Sequence, residues 1–64
     1  MKLTVESVHY EPGSTIATAI GVDENGQRWH FAGDWRPMRD VAEALKAGED
    51  VKVDVESWQI MGKA

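Results

Sequence analysis

Histidines and carboxylates are the residues of this chain that could bind a metal ion, and they are few. His9 and His30 lie in stretches with the alternation of β-strands, and the nearest carboxylates along the chain belong to Glu11 and Asp34. A protein metal site needs three or four ligands that converge on the ion, and no HExxH or similarly dense spacing is present. We therefore interpret both histidines as surface residues and predict no metal and no cofactor.

Serines and paired carboxylates are the other candidates for catalysis. None of Ser7, Ser14 and Ser57 lies in the G-x-S-x-G context of a hydrolase nucleophile. Asp54 and Glu56 could form an acid/base pair, but they alternate with valines along a predicted strand and so share its solvated face. The sequence therefore predicts a protein that is not an enzyme.

Tryptophan and arginine are concentrated in the middle of the chain. Both residue types are enriched at binding hot spots. Trp35 belongs to no apolar stripe and could instead pack at the entry to a helix, while the arginines could be ordinary solvated charge; the sequence leaves these alternatives open. The candidate binding site, called here the Trp/Arg patch, comprises Arg28, His30, Trp35, Arg36 and Arg39.

Composition restricts the class of protein. The chain has 64 residues, which is one domain, 1–64. It has no cysteine and hence no disulfide, and its net charge of −4 disfavours non-specific nucleic-acid binding. No apolar run approaches the roughly 18 residues of a membrane span, and the N-terminus lacks the apolar core of a signal peptide. We expect a chain that starts at its true N-terminus, stays in the cytoplasm and does not contact a membrane.

Three consecutive strands are predicted over residues 2–10, 15–22 and 27–33. The apolar residues of the first strand change parity, which indicates a β-bulge at Glu6–Ser7. Asn25–Gly26 is a strong signal for a two-residue hairpin turn. That turn would pair Val22 with Trp29, Ile20 with Phe31 and Asp23 with Arg28. In the first hairpin, Tyr10 would pair with Ile16. The core face of the second strand would then be Ile16, Thr18, Ile20 and Val22.

A helix over about residues 35–47 and a last strand over 50–61 complete the chain. The helix has an apolar stripe at i, i+3, i+4 and i+7, formed by Met38, Val41, Ala42 and Leu45. Either Asp34 or Arg36 could be its N-cap, Arg39 could pair with Glu43, and Gly48 would end it.

The last strand repeats the Val-Glu-Ser segment and the parity break of the first strand, now at Glu56–Ser57. We therefore expect these two strands to be neighbours that close, or nearly close, a small barrel, although the last strand could join either edge of the sheet.

These elements predict an α+β fold, mainly β, in the order β-β-β-α-β, with one short helix packed on the sheet. The sheet would be a small barrel or a strongly bent antiparallel sheet, and it resembles SH3-like and OB-like barrels in architecture. A small protein-interaction module (adaptor, inhibitor or subunit) that uses the Trp/Arg patch is the function favoured, with a protein partner or self-association. A single-stranded nucleic-acid-binding barrel is the alternative.

Overall fold

Five antiparallel strands and one helix make up the fold. The computed structural model describes residues 1–64, with the side chain of Ser57 excepted. Three strands, β1 (Lys2–Tyr10), β2 (Ile16–Val22) and β3 (Arg28–Asp34), precede the helix α1 (Trp35–Lys46). A short strand β4 (Lys52–Asp54), a 3₁₀ turn (Val55–Ser57) and a strand β5 (Gln59–Lys63) follow it. In this part of the chain, no helix is long and apolar enough to cross a membrane.

The sheet has the order β4-β1-β2-β3-β5 and does not close into a barrel. This differs from the prediction in one respect that matters: the last stretch of chain is two strands and not one. Its first half pairs with β1, as expected from the shared sequence pattern, through Leu3 opposite Val53. Its second half pairs with β3 at the opposite edge, through Phe31 opposite Ile60. The prediction that one continuous last strand closes, or nearly closes, a barrel was therefore wrong.

The parity break at Glu56–Ser57 is the point where the chain leaves one edge of the sheet for the other. The break is a 3₁₀ turn and not a bulge, and the Asp54 carboxylate accepts a hydrogen bond from the amide of Glu56 at its start. Asp54 and Gln59 are five residues apart, a span of at most about 17 Å. The edges of a flat five-stranded sheet would be about 19 Å apart. Because a 3₁₀ turn shortens the link further, the sheet has to bend strongly.

The predicted bulge in β1 is confirmed, but the predicted face of β2 is wrong. The register shifts between Val5 and Ser7, which leaves Glu6 as the extra residue. However, Phe31 pairs with Ala19 instead of Ile20. A shift of one residue turns every side chain of a strand to the other face, so β2 faces the core with Ala17, Ala19 and Gly21.

The loop between β2 and β3 explains the shift. It has three residues between the paired ends, because the amide of Asp23 donates to the carbonyl of Gln27 at 3.0 Å. The Asp23 carboxylate also accepts hydrogen bonds from the backbone amides of Asn25 and Gln27 and from Nε1 of Trp29. Within this loop, only Gly26 has positive φ, as in a type I turn followed by a glycine bulge. These bonds at Asp23 favour the longer loop over the two-residue turn.

The core lies between the small face of β2 and the large side chains around it. The residues of the central cluster are Leu3, Val5, Ala17, Ala19, Phe31, Met38 and Val55. A Cβ atom added to Gly21 would lie 2.8 Å from the Cβ of Leu3. One added to Gly33 would overlap the ring of Trp58, which also meets Phe31 edge-on at 6.2 Å between ring centroids. The core therefore needs small residues at these positions.

The helix agrees with the prediction, ending one residue earlier. Asp34 is the N-cap, and its carboxylate accepts a hydrogen bond from the amide of Arg36. Met38 is fully buried, and Val41 and Leu45 pack against the core from the same stripe. Gly48 follows the C-cap residue Ala47 and has the φ of 82° that stops the helix. The ion pairs of the described side chains do not include the expected one between Arg39 and Glu43.

Replacing Gly33 with alanine tests the close approach of Trp58. We expect Gly33→Ala to lower the free energy of unfolding by about 2 kcal/mol, because the new methyl group displaces a packed indole ring. Urea denaturation of the wild type and the variant would measure this. In a Trp58→Leu background, the same substitution should lower the free energy of unfolding much less. An equal cost in both backgrounds would contradict the contact.

Candidate protein-interaction site

The junction of β3 and α1 holds a tryptophan in a fixed position. Trp35 is the first residue of the helix, and its backbone amide donates to the carbonyl of Thr15 at 2.9 Å. Its ring stacks on Tyr10 with 3.9 Å between ring centroids and 15° between the planes. Both side chains are partly exposed. Trp35 thus packs against the core at the helix entry and is still partly exposed, so its role in binding stays a prediction.

A shallow depression lies beside this stack. We use the name Trp35 corner for Tyr10, Trp35 and Arg36, which line it together with Ser14, Thr15 and Asp34. The indole Nε1 of Trp35 donates to no acceptor among the described residues, so it is available to an outside group. The corner therefore offers an aromatic surface, one N–H donor and a neighbouring guanidinium.

Arg36 pairs with the residue that caps the helix. Its Nε lies 3.3 Å from Oδ1 of Asp34, yet 87% of its side chain is exposed. The side-chain hydrogen bond from Arg36 lowers the pKa of Asp34, and the backbone amide of Arg36 lowers this pKa further. In turn, the Asp34 carboxylate raises the pKa of Arg36. The capping carboxylate and the guanidinium therefore keep each other charged and hold the start of the helix.

The structure does not bring the five residues of the Trp/Arg patch onto one surface. Trp35 and Arg36 are adjacent at the corner, and Arg39 is exposed one helical turn further on. Arg28 and His30 lie on the opposite face of the sheet, away from the helix. Arg28 does not pair with Asp23 as expected; its Nε donates to Oε1 of Glu6, the bulged residue, at 2.7 Å.

The face of the sheet away from the helix, called here the outer face, contains the β2 residues that the sequence assigned to the core, including Ile16, which is 58% exposed. Met61 of β5 lies on the same face and is 60% exposed. Paired residues across β1, β2 and β3 form its rows: Thr4, Val22 and Arg28; Ser7, Ile20 and His30; His9, Thr18 and Ala32. A mainly apolar depression lies at its centre between His9, Ile20, His30 and Met61.

One signal in the sequence could have identified this face. β2 alternates small with large residues, and only the small ones fit beneath the aromatic residues of the neighbouring strands. In two of the three core rows, a small residue of β2 lies between two large neighbours, as Ala19 does between Val8 and Phe31. In the third row, Ala17 lies between Tyr10 and Gly33. The bulk of the neighbouring residues, as well as the polarity of β2, therefore indicates which face of β2 is buried.

A metal site would require several histidines and carboxylates of the described part of the chain to lie close together. In that part of the chain, histidines and carboxylates form no group of three or more that could hold a metal ion. His9 lies 3.8 Å from Glu11, on the outer face. Comparisons with protein-family models, curated proteins and solved structures found no match to this chain.

The pKa of Asp34 tests the geometry of the corner. A lowered pKa in the folded state means that the carboxylate stabilises the fold above the pKa of an unfolded aspartate, about 3.9. This stabilisation is lost as the pH falls through the lower, folded pKa. We expect carbon-13 NMR titration of Asp34 to give a midpoint below the ordinary value. Arg36→Gln should raise the midpoint above that of the wild type. The midpoint should still lie below the ordinary aspartate value, because the backbone hydrogen bond remains. Arg39→Gln is the control, and an unchanged midpoint in Arg36→Gln would contradict the pairing.

Proposed function

We propose that the protein is a small non-enzymatic protein-interaction module that binds its partner through the Trp35 corner. The observation that carries this proposal is a partly exposed tryptophan that is held in place before any partner arrives. The stack on Tyr10 and the hydrogen bond to Thr15 fix Trp35 in the free protein. Because a fixed aromatic ring loses little conformational entropy on binding, such a residue is suited to anchor an interface.

The neighbouring Arg36 completes the features of a hot spot. Tryptophan and arginine are the residues whose loss most often weakens an interface. The Arg36 guanidinium can make further hydrogen bonds while it stays paired with Asp34, because the Arg36 side chain is largely exposed. Arg39, on the next turn, would lie at the rim of the same surface. Arg28 and His30 would not take part, since they lie on the other side of the sheet.

Single-stranded nucleic-acid binding remains the second candidate. The strand order and the helix between the third and fourth strands support an OB-like arrangement that is partly open, and OB folds bind oligonucleotides. Electrostatics argue against it: Arg28 and Arg36 are each paired with a carboxylate, and the net charge is −4. A strand of phosphates would therefore meet few unpaired cations.

Reversal of one charge at the corner would test the proposal. Arg36→Glu should abolish capture of a specific partner when the whole chain is used as bait, because the guanidinium is lost beside the exposed indole. Lys52→Glu, on β4, makes the same change of net charge and should leave capture unchanged. Binding of each captured protein, once purified, would be measured by calorimetry with the wild type and both variants.

Two results would contradict the proposal. Equal binding of the wild type and Arg36→Glu to the purified partner would remove the corner from the interface. Binding of a mixed-sequence single-stranded oligonucleotide that weakens steeply with salt, with no protein partner, would favour the nucleic-acid function instead.

A further inference from the structure

The outer face exposes apolar side chains at the centre of the sheet, where a monomer would be expected to place polar ones. Met61 is 60% exposed and borders the central depression together with Ile20. Ile16 is 58% exposed and lies on the same face at the start of β2.

The charges of the molecule restrict what can cover this face. In the three central rows of the outer face, Arg28 is the one residue with a full charge at neutral pH, and Glu6 neutralises it at 2.7 Å. At the end of the face, Ile16 pairs with Asp34, whose carboxylate is paired with Arg36. Glu11 lies 3.8 Å from His9 at the same end. The other carboxylates lie mainly in loops, on the helix and around the 3₁₀ turn. The exposed ones there are Glu11, Glu24, Asp34, Asp40, Glu43, Glu49, Asp50, Asp54 and Glu56. Two copies with net charge −4 would repel each other at those surfaces, but not across the outer face.

Pairing through the edge strand β5 is less suitable than pairing through the face. The register of β5 with β3 shifts between His30 and Phe31, which leaves Met61 as an extra residue, and the next residue, Gly62, has φ of 143°. Bulges at a sheet edge interrupt the row of hydrogen-bonding groups that another strand would need. The bulge instead turns Met61 to the outer face, beside His30.

We propose that the outer face of β1, β2, β3 and β5 is the interface of a symmetric dimer, with a second copy of this chain as the occupant. An interface about a two-fold axis uses the same patch twice, so the patch must be complementary to itself. An apolar centre without net charge meets this condition. This inference does not depend on the proposed function, because the Trp35 corner lies on the helix side of the sheet and remains accessible in such a dimer.

The size of the face predicts a weak dimer. Four strands of about seven residues cover roughly 440 Å² in projection. This corresponds to the lower class of interfaces, below about 1,200 Å² for both partners together. The exchange between monomer and dimer should therefore be visible at protein concentrations from about 10 µM to about 1 mM.

Sedimentation equilibrium over that range, at low and high salt, is the test. The wild type should dimerise, and added salt should leave the dissociation constant unchanged or lower it, because the interface has no net charge while the molecules repel. The double variant Ile16→Glu/Met61→Glu should raise the dissociation constant at least tenfold. Both side chains are mostly exposed, so the fold should persist, which circular dichroism would check. The control variant Asn25→Glu adds an acid at the exposed β2–β3 loop and should dimerise like the wild type.

Amide NMR spectra recorded on dilution of the wild type give an independent readout. The shifts that depend on concentration should map to the outer face, for example to Thr18, Ile20 and His30, and not to the helix. A wild type that stays monomeric to about 1 mM would overturn the proposal. It would also be overturned if the double variant dimerised as well as Asn25→Glu, or if the shifts mapped to β5 alone or to the Trp35 corner.

Discussion

Close packing of large side chains over the small residues of the sheet is the constraint on which the rest of the structure depends. Trp58 covers Gly33, and Leu3 and Phe31 close over Gly21. A domain of this size has a thin core, so the rest of the core cannot adjust its packing to a cavity or to an extra methylene group. The small residues therefore fix the orientation of the central strand, and this in turn fixes which residues are left outside.

The position of Trp58 also determines the course of the chain end. The 3₁₀ turn after Asp54 brings the chain from one edge of the sheet to the other, and Trp58 covers Gly33 directly after that turn. The sheet therefore bends without closing. The link is short enough that a flat sheet could not accommodate it, so the curvature, the turn and the packing of the indole depend on one another.

The same arrangement produces two surfaces of different character on opposite sides of the sheet. At the Trp35 corner the chain exposes an aromatic ring and a guanidinium that are held by Tyr10 and Asp34. On the outer face it exposes aliphatic side chains with almost no charge. A surface of the first kind is suited to a specific partner, and one of the second kind to a copy of the molecule. The protein could use both at once, since the sheet separates them.

Local chemistry was enough to determine much of this protein from its sequence. The β1 bulge, the helix with Gly48 after its end, and the first three strands all follow from short-range patterns, and each is confirmed. Of the two candidate N-caps, Asp34 and Arg36, the structure has Asp34. The predictions of the core face of β2 and of the course of the last strand were wrong. Polarity alone favours the isoleucines of β2 for the core, whereas the bulk of Phe31, Leu3 and Trp58, which come from distant parts of the chain, requires alanine and glycine there. The hydrogen bonds at Asp23 select the loop that gives this register.

The site shows the same division between local and distant effects. Trp35 and Arg36 are adjacent in sequence and stay together at the corner, whereas Arg28 and His30 are separated from them by the sheet itself. The polarity of the β2 residues did not identify the outer face, because its exposure depends on the same one-residue register. Register is a tertiary property: it is fixed by which side chains fit beneath the residues of other strands, so the alternation of small and large residues in β2 indicates the face only together with the bulk of the neighbouring strands.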